Sequence, residues 1–428
     1  MVGRHKLNPE RRETILLRLQ ELLMANSGEN AYEEAFKIIV AKIFDEINVK
    51  NKKSKLFKNY KTPKETRENI NKLLYMALEN WPGSLEEGKT NLNDTHLDIC
   101  VSEISNITLL DKNIEIIDDL FEYLVSSDSK GNKGQYFTPR SVIDFAVHLI
   151  DPKIHESIID PSCGSGGFLV HSLNYIKEKN KNSYKNNVWG FDFDPRAVRI
   201  ARTLLRISGI KNPNIYNVNS LINNKSLDFL IKTNKNCCLP ASIESIMNVE
   251  FNQKSKFDVL FANPPFAGEI KEEHILNSYD ISKEKSSIER DALFLERCIN
   301  LLNPGGRFAI ILPHNKLAGV AWKKLRIWLM RRVKLSLVVG LPRATFMPHT
   351  PQKTALVIGE KRRNNVSYPP KNEEIMFSIC DKIGKDSSGR LIKKIDSDEF
   401  SSLWERSDHD LHEILYQYQN YLEKKEKI

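Results

Sequence analysis

Ser157-Ile158-Ile159-Asp160-Pro161-Ser162-Cys163-Gly164-Ser165-Gly166-Gly167-Phe168 is the stretch on which the reading of this 428-residue chain turns. A short apolar run reads as a buried strand, and the helical pattern Gly166–Tyr175 follows a turn of small residues. Glycines at a strand-to-helix turn let backbone amides approach a ligand, and the helix N-terminus adds hydrogen-bond donors. The third glycine of a dinucleotide fingerprint is missing, because Leu169 stands in its place.

Downstream, Val188–Phe193 forms a second apolar run that ends in Asp192. A carboxylate there can take both ribose hydroxyls of an adenosine. Each feature alone is equally a tight turn or a helix cap. In this order, the pair reads as an adenosine site. Further apolar runs follow: NIYNVNS, FDVLFAN, GRFAIILP, LSLVVGLP and TALVIGE. Helical patterns at Pro195–Ile207, Asp291–Leu302 and Val320–Arg331 alternate with them. Such alternation predicts an α/β, doubly wound, mainly parallel sheet. The Asn-, Lys- and Ser-rich segment Asn223–Ser255 reads as a loop excursion between the third and fourth strands.

Ahead of the sheet, Arg11–Ser127 is patterned as helices. Tyr32, Phe36, Ile39, Ile43 and Ile47 keep helical spacing, as do Ile114, Ile117, Phe121 and Leu124. Leu73, Leu74 and Ala77 mark a helix ending at Trp81-Pro82-Gly83, and the linker SSDSKGNKGQ closes the region near Gln135. After Lys361 only His409–Lys425 reads as a convincing helix. The expected organisation is therefore a helical domain (residues 1–130), a catalytic domain (131–362) and a short helical, partner-contacting tail (363–428).

The formal net charge of +9 permits a polyanionic partner without requiring one. Six scattered cysteines, with no CxxC pair, suggest neither a zinc site nor a disulfide framework. No apolar run reaches the ~20 residues of a membrane span, and the N-terminus lacks a signal-peptide core. A cytoplasmic protein without membrane contact is expected.

Chemistry concentrates at Asn263-Pro264-Pro265-Phe266, directly after FDVLFA. An exocyclic adenine amine is a poor nucleophile, because its lone pair is delocalised into the ring. The Asn263 amide oxygen and the Pro264 carbonyl could each accept one N6–H and localise that pair. Proline at 264 and 265 stiffens the turn, and Phe266 offers a flat wall for a flipped base. Methyl transfer of this kind needs S-adenosylmethionine as donor and no metal. Cys163 reads as a small residue of the cofactor turn, not as a nucleophile.

Gly134-Gln135-Tyr136-Phe137-Thr138-Pro139, then DPSCGSGGFL, then NPPF, resembles the gamma-type N6-adenine DNA methyltransferases, above all the modification subunits of type I restriction systems. Asp291-Ala292-Leu293-Phe294, Asn303–Arg307 and Leu341–Thr354 extend the resemblance, which is dense over about Leu120–Glu360. It implies a Rossmann-like S-adenosylmethionine-dependent methyltransferase fold with an N-terminal helical domain and a short helical C-terminal tail. It also implies that Tyr136, Phe137, Thr138 and Pro139 lie at the methionine end of the cofactor. Asp160 and Gly164 would line the cofactor backbone, Asp192 would hold the ribose, and Asn263–Phe266 would hold the target base. Ser162, Ser165, Gly166, Phe193 and Asn219 complete the implied cofactor set, and Phe346 would pack on the flipped base. One departure is Asn219-Ser220, where many relatives carry an acid.

The implied partners are double-stranded DNA and a separate specificity subunit, because the tail is too short for a target-recognition domain. The resemblance also admits a second copy of the chain and a nuclease/translocase subunit. Rival readings are methylation of RNA or of a glutamine side chain, and a scaffold that has lost activity.

Overall fold

In a computed structural model, the described residues are 21–22, 31–51, 53–110, 137–180, 187–233, 256–368, 370, 372–388, 390–394 and 403–426. The molecule divides into two compact units. One consists of the N-terminal helices together with Arg199–Lys211, and the other holds the sheet.

The helical unit contains α1 (Ala31–Lys50), α2 (Pro63–Asn80) and α3 (Asp94–Ser105). Thr62 caps α2 by accepting from the Glu65 amide at 3.2 Å, with Pro63 in the first turn. Asn93 caps α3 through the His96 amide at 2.8 Å. Phe36, Ile39 and Ile43 of α1 and Leu73, Leu74 and Ala77 of α2 are buried, and α2 stops at Trp81. Arg199 joins this unit through a two-pronged pair with Glu33 at 3.1 and 2.8 Å. The Ile114–Leu124 pattern and the SSDSKGNKGQ linker lie outside the described residues.

The second unit is built on an eight-stranded sheet in the order β10-β8-β9-β7-β4-β1-β2-β3. Its strands are β1 (Ile158–Asp160), β2 (Val188–Asp192), β3 (Asn214–Asn217), β4 (Phe257–Ala262), β7 (Leu302–Pro313), β8 (Val333–Leu341), β9 (Thr354–Lys361) and β10 (Met376–Ile379). A separate hairpin pairs β5 (Glu269–Ile270) with β6 (Ile288–Glu289). All neighbours in the large sheet run parallel except β9, which is antiparallel to both β7 and β8. Central strands buried on both faces need apolar runs, and Val259–Ala262 of β4 and Ala355–Gly359 of β9 supply them.

The helices along this part of the chain begin with α4 (Arg140–Ile150), α5 (Gly167–Lys179), α6 (Pro195–Ile207, which from Arg199 onward belongs to the helical unit) and α7 (Asn224–Thr233). They continue with α8 (Glu273–Leu276), α9 (Arg290–Leu301), α10 (His314–Ala318) and α11 (Lys323–Arg332). Phe168 of α5 stacks on Phe261 of β4 with centroids 5.3 Å apart, a contact worth roughly 0.5–1.5 kcal/mol beyond burial. Register then fixes the edge that matters. Ala262 lies beside Ile310, and Pro313 and Leu341 both lie beside Thr354. The C-terminal ends of β1, β2, β4, β7 and β8 therefore open on one side, where ligands of open α/β sheets bind.

Three expectations need correction. Asn223–Ser255 is not simply a loop, because α7 begins inside it. Asn223 caps that helix by accepting from the amides of Lys225 and Ser226 at 2.9 and 3.1 Å. Its apolar residues Leu227, Phe229, Leu230 and Ile231 fall within five positions, too short a run to show a helical period. Residues 234–255 lie outside the described set. The helix expected from Val320 starts as a 3-10 turn, Val320–Trp322, and becomes α-helical at Lys323. The tail is not purely helical, since β10 adds a parallel strand beside β8 before α12 (Leu403–Arg406) and α13 (Leu411–Glu426). Its Phe377 and Ile379 are exposed, so β10 has no alternating buried pattern to read. Among the described residues no helix is long and apolar enough to cross a membrane.

Candidate active site

The glycine turn after β1 is held by its own backbone. The Cys163 amide donates to the Phe191 carbonyl at 2.9 Å, and the Gly166 amide to the Cys163 carbonyl at 2.8 Å. Gly164 and Gly166 take φ values of 53° and 88°, the left-handed region open to glycine at little cost. A methyl group at Gly164 would meet nothing within 4 Å, so the turn faces open space.

Two carboxylates stand behind this turn, both buried. Asp192 accepts from the Gly164 amide at 2.8 Å and the Asp194 amide at 2.9 Å. Asp160 accepts from the Ser162 amide at 3.0 Å. Burial pushes Asp160 up to about 8, with the neighbouring Asp192 charge adding to the rise. Burial also lifts Asp192, to about 6, against the pull of the Asp194 and Gly164 amides. Beside Asp192, Phe193 is 70% exposed, leaving its aromatic face open.

Loop residues after β3 close this half. Asn217 donates to the carbonyls of Asp192 and Phe193 at 3.1 and 2.9 Å, and the Ser220 hydroxyl donates to the Pro161 carbonyl. Asn219 turns inward on its own loop, accepting from the Leu221 amide at 3.1 Å. Ser165 is buried within the turn.

The second half lies at the end of β4. The Asn263 side-chain amide donates to the Thr138 hydroxyl at 3.0 Å, which fixes the plane of the amide. Thr138 and Pro139 are buried, Phe137 is half-buried, and Tyr136 lies outside the described residues. Pro264 is buried, while Asn263, Pro265 and Phe266 are half-buried. Phe346, on the 3-10 turn after β8, meets Phe266 edge-to-face with centroids 5.2 Å apart. Two aromatic residues 80 positions apart thus share one wall beside Asn263.

The exit of this loop is tied down. The Arg290 amide donates to the Gly268 carbonyl at 2.9 Å, and β5 pairs with β6 directly afterwards. Lys316 of α10 then pairs with Asp291 at 3.0 Å and Glu289 at 2.5 Å, beneath the Trp322 ring at 4.4 Å. Burial raises the Asp291 carboxyl, and the Lys316 charge opposes that rise. Sequence reading missed Lys316, Asn217 and Ser220. A lysine in HNKLAG carries no spacing signal, and the Thr138–Asn263 contact spans 125 positions.

The model of the family described as N-6 DNA Methylase matches residues 112–416. The chain belongs to that family. It is 30% identical to the type I restriction enzyme EcoEI methylase subunit of Escherichia coli, over 57% of this chain and 46% of the relative. It is 25% identical to the EcoKI methylase subunit of Escherichia coli K12, over 58% and 47%. The chain thus spans about half the length of these curated relatives. In fold, this chain resembles the type I methyltransferase subunit of Streptococcus thermophilus, with TM-score 0.64, 15% identity, and 97% and 94% of the two chains covered. It also resembles a modification subunit of a putative type I restriction enzyme from Vibrio vulnificus, with TM-score 0.60, 18% identity, and 87% of each chain covered. The Rossmann-like methyltransferase fold expected from the sequence is the one found.

Proposed function

We propose that this chain transfers a methyl group from S-adenosylmethionine to N6 of a flipped adenine in double-stranded DNA, as the modification subunit of a type I-like restriction–modification system. The observation that carries the reading is the Asn263 amide, held by Thr138 at the mouth of β4 with the Phe266–Phe346 wall beside it.

The residues at the glycine turn fit the cofactor. Gly164 faces open space, Asp192 sits behind it, and exposed Phe193 offers a stacking face for an adenine ring. Asp160, Ser162, Ser165 and Gly166 would shape the turn, with Phe137, Pro139 and Asn219 at its margins. The sulfonium supplies an activated methyl group. Everything else falls to this chain. Asp192 would orient the ribose, and Asn263 Oδ1 and the Pro264 carbonyl would each accept an N6–H. Those two acceptors favour a tetrahedral nitrogen whose lone pair points at the methyl carbon. The extra proton then leaves from N6 to solvent or to one of these acceptors. Half-buried Phe266 would stack on the extruded base, replacing the contacts it loses in the helix, and buried Phe346 would brace Phe266 edge-to-face and not meet the base itself.

Sequence readout needs side chains delivered to base edges in a groove. No such element is evident among the described residues of 363–428, which in this reading contact partners. A separate specificity subunit, with a second copy of the chain and a nuclease/translocase subunit in the same assembly, completes the scheme in the cytoplasm. The test is to sequence host DNA for N6-methyladenine with and without this gene. Loss of one methylated motif on deletion is expected, and an unchanged methylome would overturn the reading.

A further inference from the structure

Between β7 and α11 the chain builds an exposed tip. Val320 is 88% exposed, and Ala321 beside it is exposed too. A lone surface valine is ordinary; this one stands on an unusually fixed base. Arg326 donates to the carbonyls of Gly319 at 2.6 Å and Lys316 at 3.3 Å. The Gly319 amide donates to Asn315 at 2.7 Å, and a methyl group on Gly319 would come within 2.5 Å of that carbonyl. Underneath, the Trp322 ring rests on Lys316, which is itself pinned by buried Asp291. An apolar tip is thus held rigidly out into solvent.

Its rim is cationic. Lys323 and Lys324 are exposed on the first turn of α11, and the Lys285 ammonium lies 6.0 Å from the Trp322 ring. Four acids lie in the same neighbourhood: Glu284 is exposed, Asp280 takes up Lys283 at 3.4 Å, and Glu289 and Asp291 share Lys316. Lys285, Lys323 and Lys324 outweigh Glu284 and the one carboxylate that Lys316 leaves unbalanced. The tip is rooted where β7 ends, beside β4, whose end carries Asn263.

We propose that Val320–Ala321 is a wedge that enters the duplex where the target base leaves it, while Lys285, Lys323 and Lys324 seat on the flanking phosphates. The proposal rests on the DNA-adenine reading above. Extruding a base opens a gap and unstacks its neighbours, which opposes the step. A rigid, β-branched apolar tip can fill that gap without leaving a polar group buried and unpaired. Lysines on either side hold the backbone that must open.

The test uses the methylating assembly isolated through a tagged copy of this chain, and duplexes carrying its methylated motif. Val320→Gly should lower the rate on a matched duplex about tenfold. It should recover nearly the wild-type rate when the target adenine faces a mismatch, which makes extrusion cheap. Lys323→Gln/Lys324→Gln should reduce the slope of log affinity against log salt by about 2, as expected for two lost phosphate contacts. Cofactor affinity should be unchanged in both. Equal losses on matched and mismatched duplexes, an unaltered salt slope, or loss of subunits from the assembly would each overturn the wedge. A wild-type assembly that puts no methyl group on DNA would instead overturn the reading beneath it.

Discussion

The two halves of the candidate site are made in different ways. At the ends of β1 and β2, three backbone amides hold two buried carboxylates, and glycines provide the shape. At the end of β4, side chains hold side chains: Thr138 fixes Asn263, Phe346 braces Phe266, and Lys316 secures the loop exit. The first half is a preformed cradle whose parts, Asp160 to Ser220, lie within about 60 consecutive positions. The second gathers residues from four segments of chain. The cradle suits binding of one invariant molecule, and the convergent half suits a base that must be admitted, gripped and released.

That contrast gives distinct expectations for mutation. Asn263→Ala should lower methyl transfer by about 10²–10³ while leaving cofactor affinity nearly intact, because the lost acceptor acts on the amine in the transition state. A single-turnover assay beside calorimetry measures both. Near-normal turnover would remove Asn263 from the chemistry. Asp192→Ala should do the opposite, weakening cofactor binding about tenfold or more, since a charge-assisted hydrogen bond contributes roughly 1.5–3 kcal/mol. Unchanged affinity would break the division at its other end.

Thr138 sharpens the comparison, because the family resemblance assigns it to the cofactor while the structure ties it to Asn263. Thr138→Val removes one hydrogen bond worth about 0.5–1.5 kcal/mol, so kcat should fall roughly 2- to 12-fold. If cofactor affinity falls instead and kcat holds, Thr138 belongs to the cradle.

The smallest effect concerns stability. The Asp160 carboxyl lies at about 8 in the fold, against 3.8 as its ordinary value. Folding therefore favours its protonated form. That contribution is fully present below about pH 3.8 and is lost as pH rises through about 8. Asp160→Asn keeps an acceptor for the Ser162 amide and removes the buried charge. Its Tm without cofactor should exceed wild type at pH 8 by about 2–4 °C, the shift that ~1 kcal/mol produces in a domain of this size. The gain should vanish near pH 4. Equal Tm values at both pH values would mean that burial does not penalise this carboxylate.

How far the sequence could be read follows the same division. DPSCGSGGF and VWGFDF were legible because a strand, a glycine turn and a carboxylate are local patterns with fixed spacing. Asn263–Phe266 was legible for its unusual chemistry, and Phe346 through the resemblance. Lys316 and the Thr138–Asn263 contact were not, since they depend on which strand ends lie side by side. β10 escaped for a related reason: four residues with two exposed apolar side chains show no alternation, and their pairing with β8 is set by the tertiary fold. Helix α7 was hidden because its apolar run is too short to show a period within a polar segment, whose Asn223 serves as its cap.

The most direct test of the account is the chemical identity of the methylated product. The assembly containing this chain would be incubated with host DNA and S-adenosylmethionine carrying a labelled methyl group, and the DNA digested to nucleosides. The account predicts that the label elutes as N6-methyldeoxyadenosine and disappears with Asn263→Ala. Label recovered in RNA nucleosides or in glutamine of a protein, with none in deoxyadenosine, would contradict it.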